Sequence, residues 1–268
     1  GPVKKAAEFQ AQMSTVQALS GATGSDLAKL TALAKEMGAT TQFTAVESGK
    51  ALEYMAMAGW KTNQMIAGLP GIMNLAAASG EELGIVSDIV TDALTALGMT
   101  ADDTGRFVDV LAAAATSSNT NVSGLGEAFQ YVASTAGALG YTAEDLAVAL
   151  GVMANSGVKG SQAGNSLKTA LSRMAAPTTA MKSAMDQLGI SMTDEYGNTK
   201  SLMEVMKNLR NSIGSVGVEL VDADGNLREY EDIIAELSKT TEGLSKVQQI
   251  EAASTIFGKN AMAGMLSI

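Results

Sequence analysis

The sequence predicts a mainly α-helical protein, a compact bundle of about a dozen short helices with internal duplication of helical hairpins. Helix-start signals recur along the chain, and apolar residues repeat with the 3.6-residue period of an amphipathic helix. Runs that favour strands occur only beside two glycine turns near the end. We therefore also expect one or two short β-hairpins or strands in the C-terminal third.

Helix starts are marked by a Ser or Thr followed three residues later by an acid or Gln, the spacing of a capping box. Each pair precedes a stretch with helical periodicity. Before Gly21, apolar residues from Ala6 to Leu19 also have helical spacing and predict an N-terminal helix. The predicted capping pairs are Thr44 with Glu47, Thr100 with Asp103, Thr142 with Asp145, Ser201 with Glu204, and Ser245 with Gln248.

One stretch illustrates the helical pattern. Between Leu83 and Leu97 the apolar side chains fall on a single helix face, and Gly98 stands where a glycine ends a helix. The uncharged stretch from Thr62 to Gly80 is the longest in the chain. Pro70 and several glycines interrupt it, so it does not predict a bilayer span.

A weak repeat links the two halves of the chain. Residues 51–54 match 128–131, residues 77–80 match 154–157, and Trp60 aligns with Tyr141. The period is about 80 residues, enough for several short helices, and predicts duplicated helical hairpins stacked on one another. We expect three parts: an N-terminal helix or linker at 1–24, a duplicated helical region at 25–189, and a glycine-turn region at 190–268 within the same core domain.

The glycine-turn region carries two similar segments. Residues 191–198 and 219–226 each place a Gly-Asn pair, at Gly197 and Gly225, after an acidic stretch. Glycine supplies the positive φ that such turns require, and short apolar runs precede each turn. These features predict the hairpins or strands.

The amino-acid composition excludes several kinds of catalytic and metal-binding site. The chain has no Cys and no His, which excludes disulfides, thiolate nucleophiles, imidazole bases and the usual zinc or haem ligand sets. Its net charge of −10 argues against direct nucleic-acid binding, because such affinity depends on Lys and Arg. We expect no catalysis and no cofactor or metal.

Two acidic groups invite a functional interpretation. Asp222, Asp224 and Asn226 resemble part of a calcium loop, but the Gly and the following Glu fall at the wrong positions, so a structural turn explains them better. Glu81 and Glu82 stand at a predicted helix N-terminus, where acids interact favourably with the helix dipole.

Ser156 and Lys159 fit a Ser-x-x-Lys pattern that is common by chance.

The only tryptophan, Trp60, follows a glycine at a helix boundary. A core or inter-helix position is the commoner role for such a residue. The alternative is a soft partner-binding patch made of Met55, Met57, Trp60, Met65 and Met73, since Met surfaces repack easily around a partner helix.

The order of the C-terminal segments resembles the core region of phage tail tape measure proteins. After the two glycine turns come residues 244–249 and then Ile256-Phe257-Gly258-Lys259-Asn260-Ala261-Met262, in which we expect Gly258 to end one helix and Asn260 to begin another. The resemblance covers Leu27 to Ile268. It implies a virion structural protein of the tail tube lumen, made in the host cytoplasm, that governs tail length and leaves the tail at genome ejection.

The resemblance also implies partners and no catalytic residues. The expected partners are further copies of the chain, tail tube proteins, tail-tip or baseplate proteins and assembly chaperones. Gly1-Pro2 looks like the remnant left by a tag-removing protease, so we expect a segment of a longer protein whose other parts contact the host membrane. Two alternatives stay open: a membrane-active, pore-forming helical protein, favoured by a positive mean hydropathy, and a muralytic enzyme using paired carboxylates.

Overall fold

A computed structural model describes the backbone of all 268 residues and every side chain except those of Thr241, Leu244 and Ser245. In the described chain the mainly helical prediction is confirmed. The helices, joined by loops and one 3₁₀ turn at Ala101–Asp103, are α1 (Pro2–Ser20), α2 (Ser25–Thr40), α3 (Ala45–Met57), α4 (Thr62–Ser79), α5 (Leu83–Ala96), α6 (Thr104–Ser117), α7 (Val122–Ala138), α8 (Ala143–Asn155), α9 (Gly160–Ala175), α10 (Thr179–Leu188), α11 (Leu202–Ile213), α12 (Tyr230–Leu237), α13 (Thr241–Phe257) and α14 (Lys259–Leu266). The two longest loops, residues 189–201 and 214–229, carry the glycine turns.

Contacts within the chain group into two units, residues 1–112 and residues 113–268. In the first unit α3 is central, because α1, α2 and α5 all pack against it. In the second unit α9 packs against α7, α13 and α14, and α10 packs against α13. The division predicted from the sequence, at residues 24 and 189, follows composition and repeats and stays a prediction.

Local sequence accounts for several helix starts. Thr44 accepts a hydrogen bond from the Glu47 amide at 3.1 Å, and the Glu47 carboxylate accepts one from the Thr44 amide. Thr142 and Asp145 form the same reciprocal pair, with both distances 3.1 Å. These capping boxes satisfy amides that have no partner inside the helix.

One predicted helix start is wrong. Helix α13 begins at Thr241, four residues before Ser245, whose side chain lies outside the described residues. The cap is Thr240, whose hydroxyl accepts a hydrogen bond from the Gly243 amide at 2.9 Å. A Thr-x-x-Gly spacing lacks the reciprocal acid, so it gives no capping-box signal.

The predicted strands and β-hairpins do not form in the described backbone. Each glycine turn is closed by a single antiparallel bridge, Thr193 with Thr199 and Val221 with Leu227. A helix cap follows within two residues, Ser201 before α11 and Glu229 before α12. The chain therefore turns into a helix before a second pair of residues can extend either ladder.

The halves of the predicted repeat have parallel features, although the duplication itself stays a prediction. Helices α3 and α7 both end at a glycine of positive φ, Gly59 and Gly140. The next residue in each case donates its amide back into the helix at 3.0 Å, and both aromatic side chains are buried, Trp60 with 7% and Tyr141 with 5% of its surface exposed. In the first half α3 packs against α5, and in the second half α7 packs against α9.

Helix α4 runs unbroken through Pro70, which lies on its exposed side. Among the described residues, no helix is both long enough and apolar enough to cross a bilayer.

The closest packing of α9 on α7 depends on Gly164. A Cβ added there would overlap the carbonyl oxygen and Cα of Ala128. We expect Gly164→Ala to lower the free energy of unfolding by about 1–3 kcal/mol, because α9 must move away from α7. Urea unfolding followed by circular dichroism measures the change.

The matched control is Gly71→Ala in the middle of α4, where an added Cβ meets nothing within 4 Å. Its helix propensity should stabilise the protein by about 0.5–1 kcal/mol. Equal stabilisation by both substitutions would contradict the close approach of α9 to α7.

Candidate functional site

The two glycine turns are nearly identical in geometry. Turn 1 is Asp194–Asn198 and turn 2 is Asp222–Asn226. In each, the amide of the Asp donates to the carbonyl of the Asn at 2.8 Å, and the Gly amide donates to the Asp carbonyl at 3.1 Å. Gly197 and Gly225 both have φ of 83°. Both glycines therefore take a positive φ inside a tight turn.

The carboxylate of the first Asp holds each turn from inside. Asp222 Oδ1 accepts the amides of Asp224 and Asn226, both at 2.9 Å. Asp194 Oδ1 accepts the amides of Tyr196 and Asn198 at 2.9 and 2.8 Å. These are Asx-type contacts, in which the acid replaces a backbone acceptor. The carboxylates thus bind their own backbone, which supports the structural interpretation over the calcium one.

The charge of Asp194 is stabilised by the same contacts. Hydrogen bonding from the Asn198 amide, then from the Asn198 side chain and the Tyr196 amide, holds the pKa of Asp194 below its ordinary value, with a smaller contribution from Lys200. No group of three or more acidic side chains comes together to hold a metal within the part of the chain that the structure describes.

Turn 2 is anchored to helix α9 by Gln162. Its Nε2 donates to the Gly225 carbonyl at 3.1 Å, and its Oε1 accepts the Leu227 amide at 2.9 Å. The Gln162 side chain thereby pairs with one backbone carbonyl and one backbone amide at the end of turn 2, as a neighbouring strand would. Sequence reasoning missed Gln162, because a glutamine about 60 residues away carries no local signal.

The junction between α13 and α14 lies at Gly258. Its φ of 80° lets one residue end α13 and precede α14, which begins at Lys259, one residue before the predicted start at Asn260. Arg173 of α9 donates to the carbonyls of Ile256 and Thr255 at 2.8 and 3.0 Å. A guanidinium at a helix C-terminus satisfies free carbonyls and favours the helix dipole.

Helix α12 meets the same junction through Lys259. The Lys259 ammonium lies 3.1 Å from the Glu231 carboxylate and 4.9 Å from the centre of the Tyr230 ring. Hydrogen bonding of Glu231 to its own amide, and then to Lys259, lowers the pKa of that carboxyl. Both charged side chains are exposed, so the pair orients α12 more than it stabilises the fold.

A cleft of about 670 Å³ lies between α9 and this junction. Its walls include Gln162, Asn165, Thr169 and Arg173 on α9 and the segment from Phe257 to Ala261. Amides, hydroxyls and one guanidinium suit hydrogen bonding to a peptide or polar surface. They do not supply the paired carboxylates that glycoside hydrolysis requires.

The other candidate residues are dispersed. Met55, Trp60, Met65 and Met73 are buried in the first unit, and only Met57, with 56% of its surface exposed, is accessible. Gly68 lies directly under the Trp60 ring, so the indole acts as an inter-helix plug. Docking of a partner at this patch stays a prediction. Of the five residues, Met57 is the one that a partner could contact without rearrangement of the core. Glu82 precedes α5, as the helix-dipole interpretation predicts.

The Ser-x-x-Lys pattern does not form a site. Ser156 donates to the Ser267 carbonyl at 2.9 Å, and Lys159 stands as the residue before α9. The pattern is therefore a chance match, as its frequency predicts.

Comparison with known proteins agrees with the resemblance of the glycine-turn segments. The profile of a family described as phage-related minor tail protein matches residues 31–219, well over half of the chain. The chain therefore belongs to the phage-related minor tail protein family. The family match includes Gly197 and stops before Gly225.

Individual relatives narrow this class to tape measure proteins. The tape measure protein of Pneumococcus phage Dp-1 is 36% identical over 266 residues, which are 99% of this chain and 21% of that protein. The probable tape measure protein of Escherichia phage P2 is 26% identical over 207 residues, 76% of this chain and 25% of that protein. The chain thus spans a quarter or less of these relatives. No solved structure matches significantly.

The turn geometry predicts different tolerances within turn 2. Gly225→Val should lower the free energy of unfolding by about 1–3 kcal/mol, because a β-branched residue resists positive φ. Asp222→Asn should change it little, since an amide oxygen still accepts the two backbone hydrogen bonds. Thermal unfolding monitored by circular dichroism measures both.

Calcium provides the control for this pair of variants. If calcium raises the melting temperature of the parent and Asp222→Asn removes that increase, the carboxylate binds a metal and the structural assignment is wrong.

Turn 1 should depend on pH through Asp194. Its folded pKa is depressed, so its contribution to stability is complete above the ordinary pKa and is lost as pH falls through the folded value. NMR titration from about pH 6 to about pH 2 should show the Tyr196 and Asn198 amide signals shifting below the ordinary Asp pKa. Asp194→Asn should remove that transition, and a transition that persists in this variant would contradict the assignment.

Proposed function

We propose that this chain is a folded segment of a phage or prophage tail tape measure protein, acting in tail assembly, tail length determination and genome delivery. The observation that carries the proposal is the match to the Dp-1 tape measure protein along 99% of this chain. The two rigid turns and the junction at Gly258 lie within the part of the chain that carries the resemblance.

Within the whole protein, we assign the ruler to sequence outside these residues. A single helix of 268 residues would be about 400 Å long. Here the longest helix, α1, has 19 residues, and the helices pack on one another within each unit. Such packing fits an assembly or delivery domain better than a length-setting rod.

The same proposal assigns a structural, non-enzymatic role in the tail tube lumen, after assembly in the host cytoplasm. Its partners are further copies of the chain, tail tube and tail-tip or baseplate proteins, and assembly chaperones, with host-membrane contact made by other parts of the protein. The net charge of −10 favours these protein contacts over DNA. Beyond the positive mean hydropathy, no observation on the described residues favours the pore-forming alternative, and none favours the muralytic one.

A tail-length measurement tests the assignment. In a phage carrying the full-length gene, 40 helix-forming residues inserted between Thr23 and Gly24, in the loop after α1, should leave mean tail length unchanged. The same insertion in a long helical stretch outside this segment should lengthen tails by about 60 Å, at 1.5 Å per residue. Electron microscopy of purified tails gives both values. Equal lengthening by both insertions would place the ruler in these 268 residues.

A further inference from the structure

The cleft between α9 and the α13–α14 junction is lined by cations in a chain whose net charge is −10. Two of its lining residues, Arg173 and Lys259, are basic, and none is acidic. Lys259 already pairs with Glu231 at 3.1 Å. Arg173 donates to the backbone carbonyls of Ile256 and Thr255, and no carboxylate pairs with it among the described residues. The guanidinium charge of Arg173 is therefore the one that the chain leaves without a counter-ion here.

The N-terminus of α14 opens into the cleft at the same place. Gly258 precedes this helix and has no side chain to cap it, so the amides of Lys259, Asn260 and Ala261 have no partner among the described residues. A Cβ added at Gly258 would lie 3.7 Å from Cζ of Arg173. The guanidinium and the free amides therefore converge on one point. Such convergence favours the oxygens of an anionic group.

A second observation, on the wall that α9 supplies, also indicates a ligand. Ser166 lines the cleft with only 4% of its surface exposed, and its hydroxyl has no hydrogen-bond partner within the described part of the chain. Buried hydroxyls are normally paired, so an unpaired one indicates a polar group that enters the cleft. The exposed side chains of Asn165 and Thr169 on the same wall are likewise free to bind.

The length and the two ends of the cleft define what fits it. From Gln162 to Arg173 the α9 wall rises about 16 Å, which an extended peptide of about five residues spans. This is far longer than a single inorganic ion. At the Gln162 end the half-buried Leu227 supplies an apolar surface. Turn 2, with Asp222 and Asp224, is bound at that end and disfavours a further acid there.

We propose that this cleft binds an extended acidic segment of a partner protein. One carboxylate of the segment binds Arg173 and the free amides of α14, and an apolar side chain about four residues away contacts Leu227. Side chains at even spacing lie on the same face of an extended chain, so both can point into the cleft. Ser166 and Asn165 pair with the backbone of the segment. The inference deepens the proposed function and rests on it for its setting, since it gives the chemistry of one partner.

NMR titration of the ¹⁵N-labelled 268-residue chain with short peptides tests the site. The probes are acetyl-Leu-Thr-Ala-Thr-Glu-amide and the same residues in reverse order, so that both chain directions are sampled. At least one of them should shift the amide signals of Asn260 and Ala261 saturably. The same peptide with Gln in place of Glu should bind at least about tenfold more weakly, because hydrogen bonds to a charged group are the stronger ones.

The variant Asn260→Asp separates binding from folding. An acid at the second position of α14 favours the helix dipole, and it competes with the ligand for the free amides, so affinity should fall at least about tenfold. The matched control is Asn63→Asp at the second position of α4, also exposed, which should leave affinity unchanged. Ser166→Ala should weaken binding about 2–10-fold. Arg173→Gln would also remove the cap of α13, so Asn260→Asp carries the test.

No saturable shift with either peptide, or equal binding of the Glu and Gln forms, would overturn the inference. Acetate or inorganic phosphate acting with the affinity of the peptide would make the cleft a site for free anions, and oligothymidylate doing so would make it a nucleic-acid site; both results contradict the proposal. These measurements concern the isolated chain, whereas the insertion experiment concerns tail length. Absence of peptide binding, together with unchanged tail length after the insertion, would remove this site and keep the proposed function.

Discussion

Side chains from distant parts of the chain satisfy four helix C-termini of the second unit, those of α10, α11, α13 and α14. The last carbonyls of an α-helix have no partner within it, and burying them unpaired is costly. Here Ser212 donates to the Leu188 carbonyl at the end of α10, Lys246 and Gln249 donate to the end of α11, and Arg173 donates to the end of α13. Ser156 completes the set at the end of α14. Each cap fixes where one helix stops relative to another.

Helix α9 combines several of these constraints. Gln162 of α9 positions turn 2, and Arg173 of α9 caps the C-terminus of α13. Gly164 of α9 lets α7 pack at close range. Gly264 of α14 lies equally close to Ser166, so small residues appear on both sides of α9. The cleft at the junction follows from this arrangement, because α9 supplies one wall and the helix end that it caps supplies the other.

Much of this fold could be predicted, because the signals at helix N-termini are local. Thr44 and Thr142 bond residues three positions away, so their capping boxes are visible in the sequence. The turns at Gly197 and Gly225 were predictable for the same reason. The strands were predicted wrongly, since the helix cap at Ser201 already leaves no room for a ladder after turn 1. The sequence also predicts the cap at Ser201, and the two signals taken together exclude a ladder after turn 1.

The parts that could not be predicted depend on distant residues. Arg173 lies 83 residues from the carbonyl of Ile256, and Ser156 lies 111 residues from that of Ser267. Nothing beside Arg173 marks it as a cap, because its acceptors are backbone groups that every residue carries. Burial of the Met55, Met65 and Met73 side chains was likewise undetermined, since a Met stripe suits a core and a binding surface equally well.

The Ser156–Ser267 bond also has a consequence for the order in which the chain folds. Contacts of the first unit join helices that are near in sequence, and such contacts form quickly. The second unit cannot complete its caps until residue 267 has been synthesised. At roughly 5–20 residues per second, the 111 residues from Ser156 to Ser267 take about 6–22 s to make. During translation the first unit can therefore be folded before the residues whose carbonyls Ser156 and Arg173 bind have been synthesised.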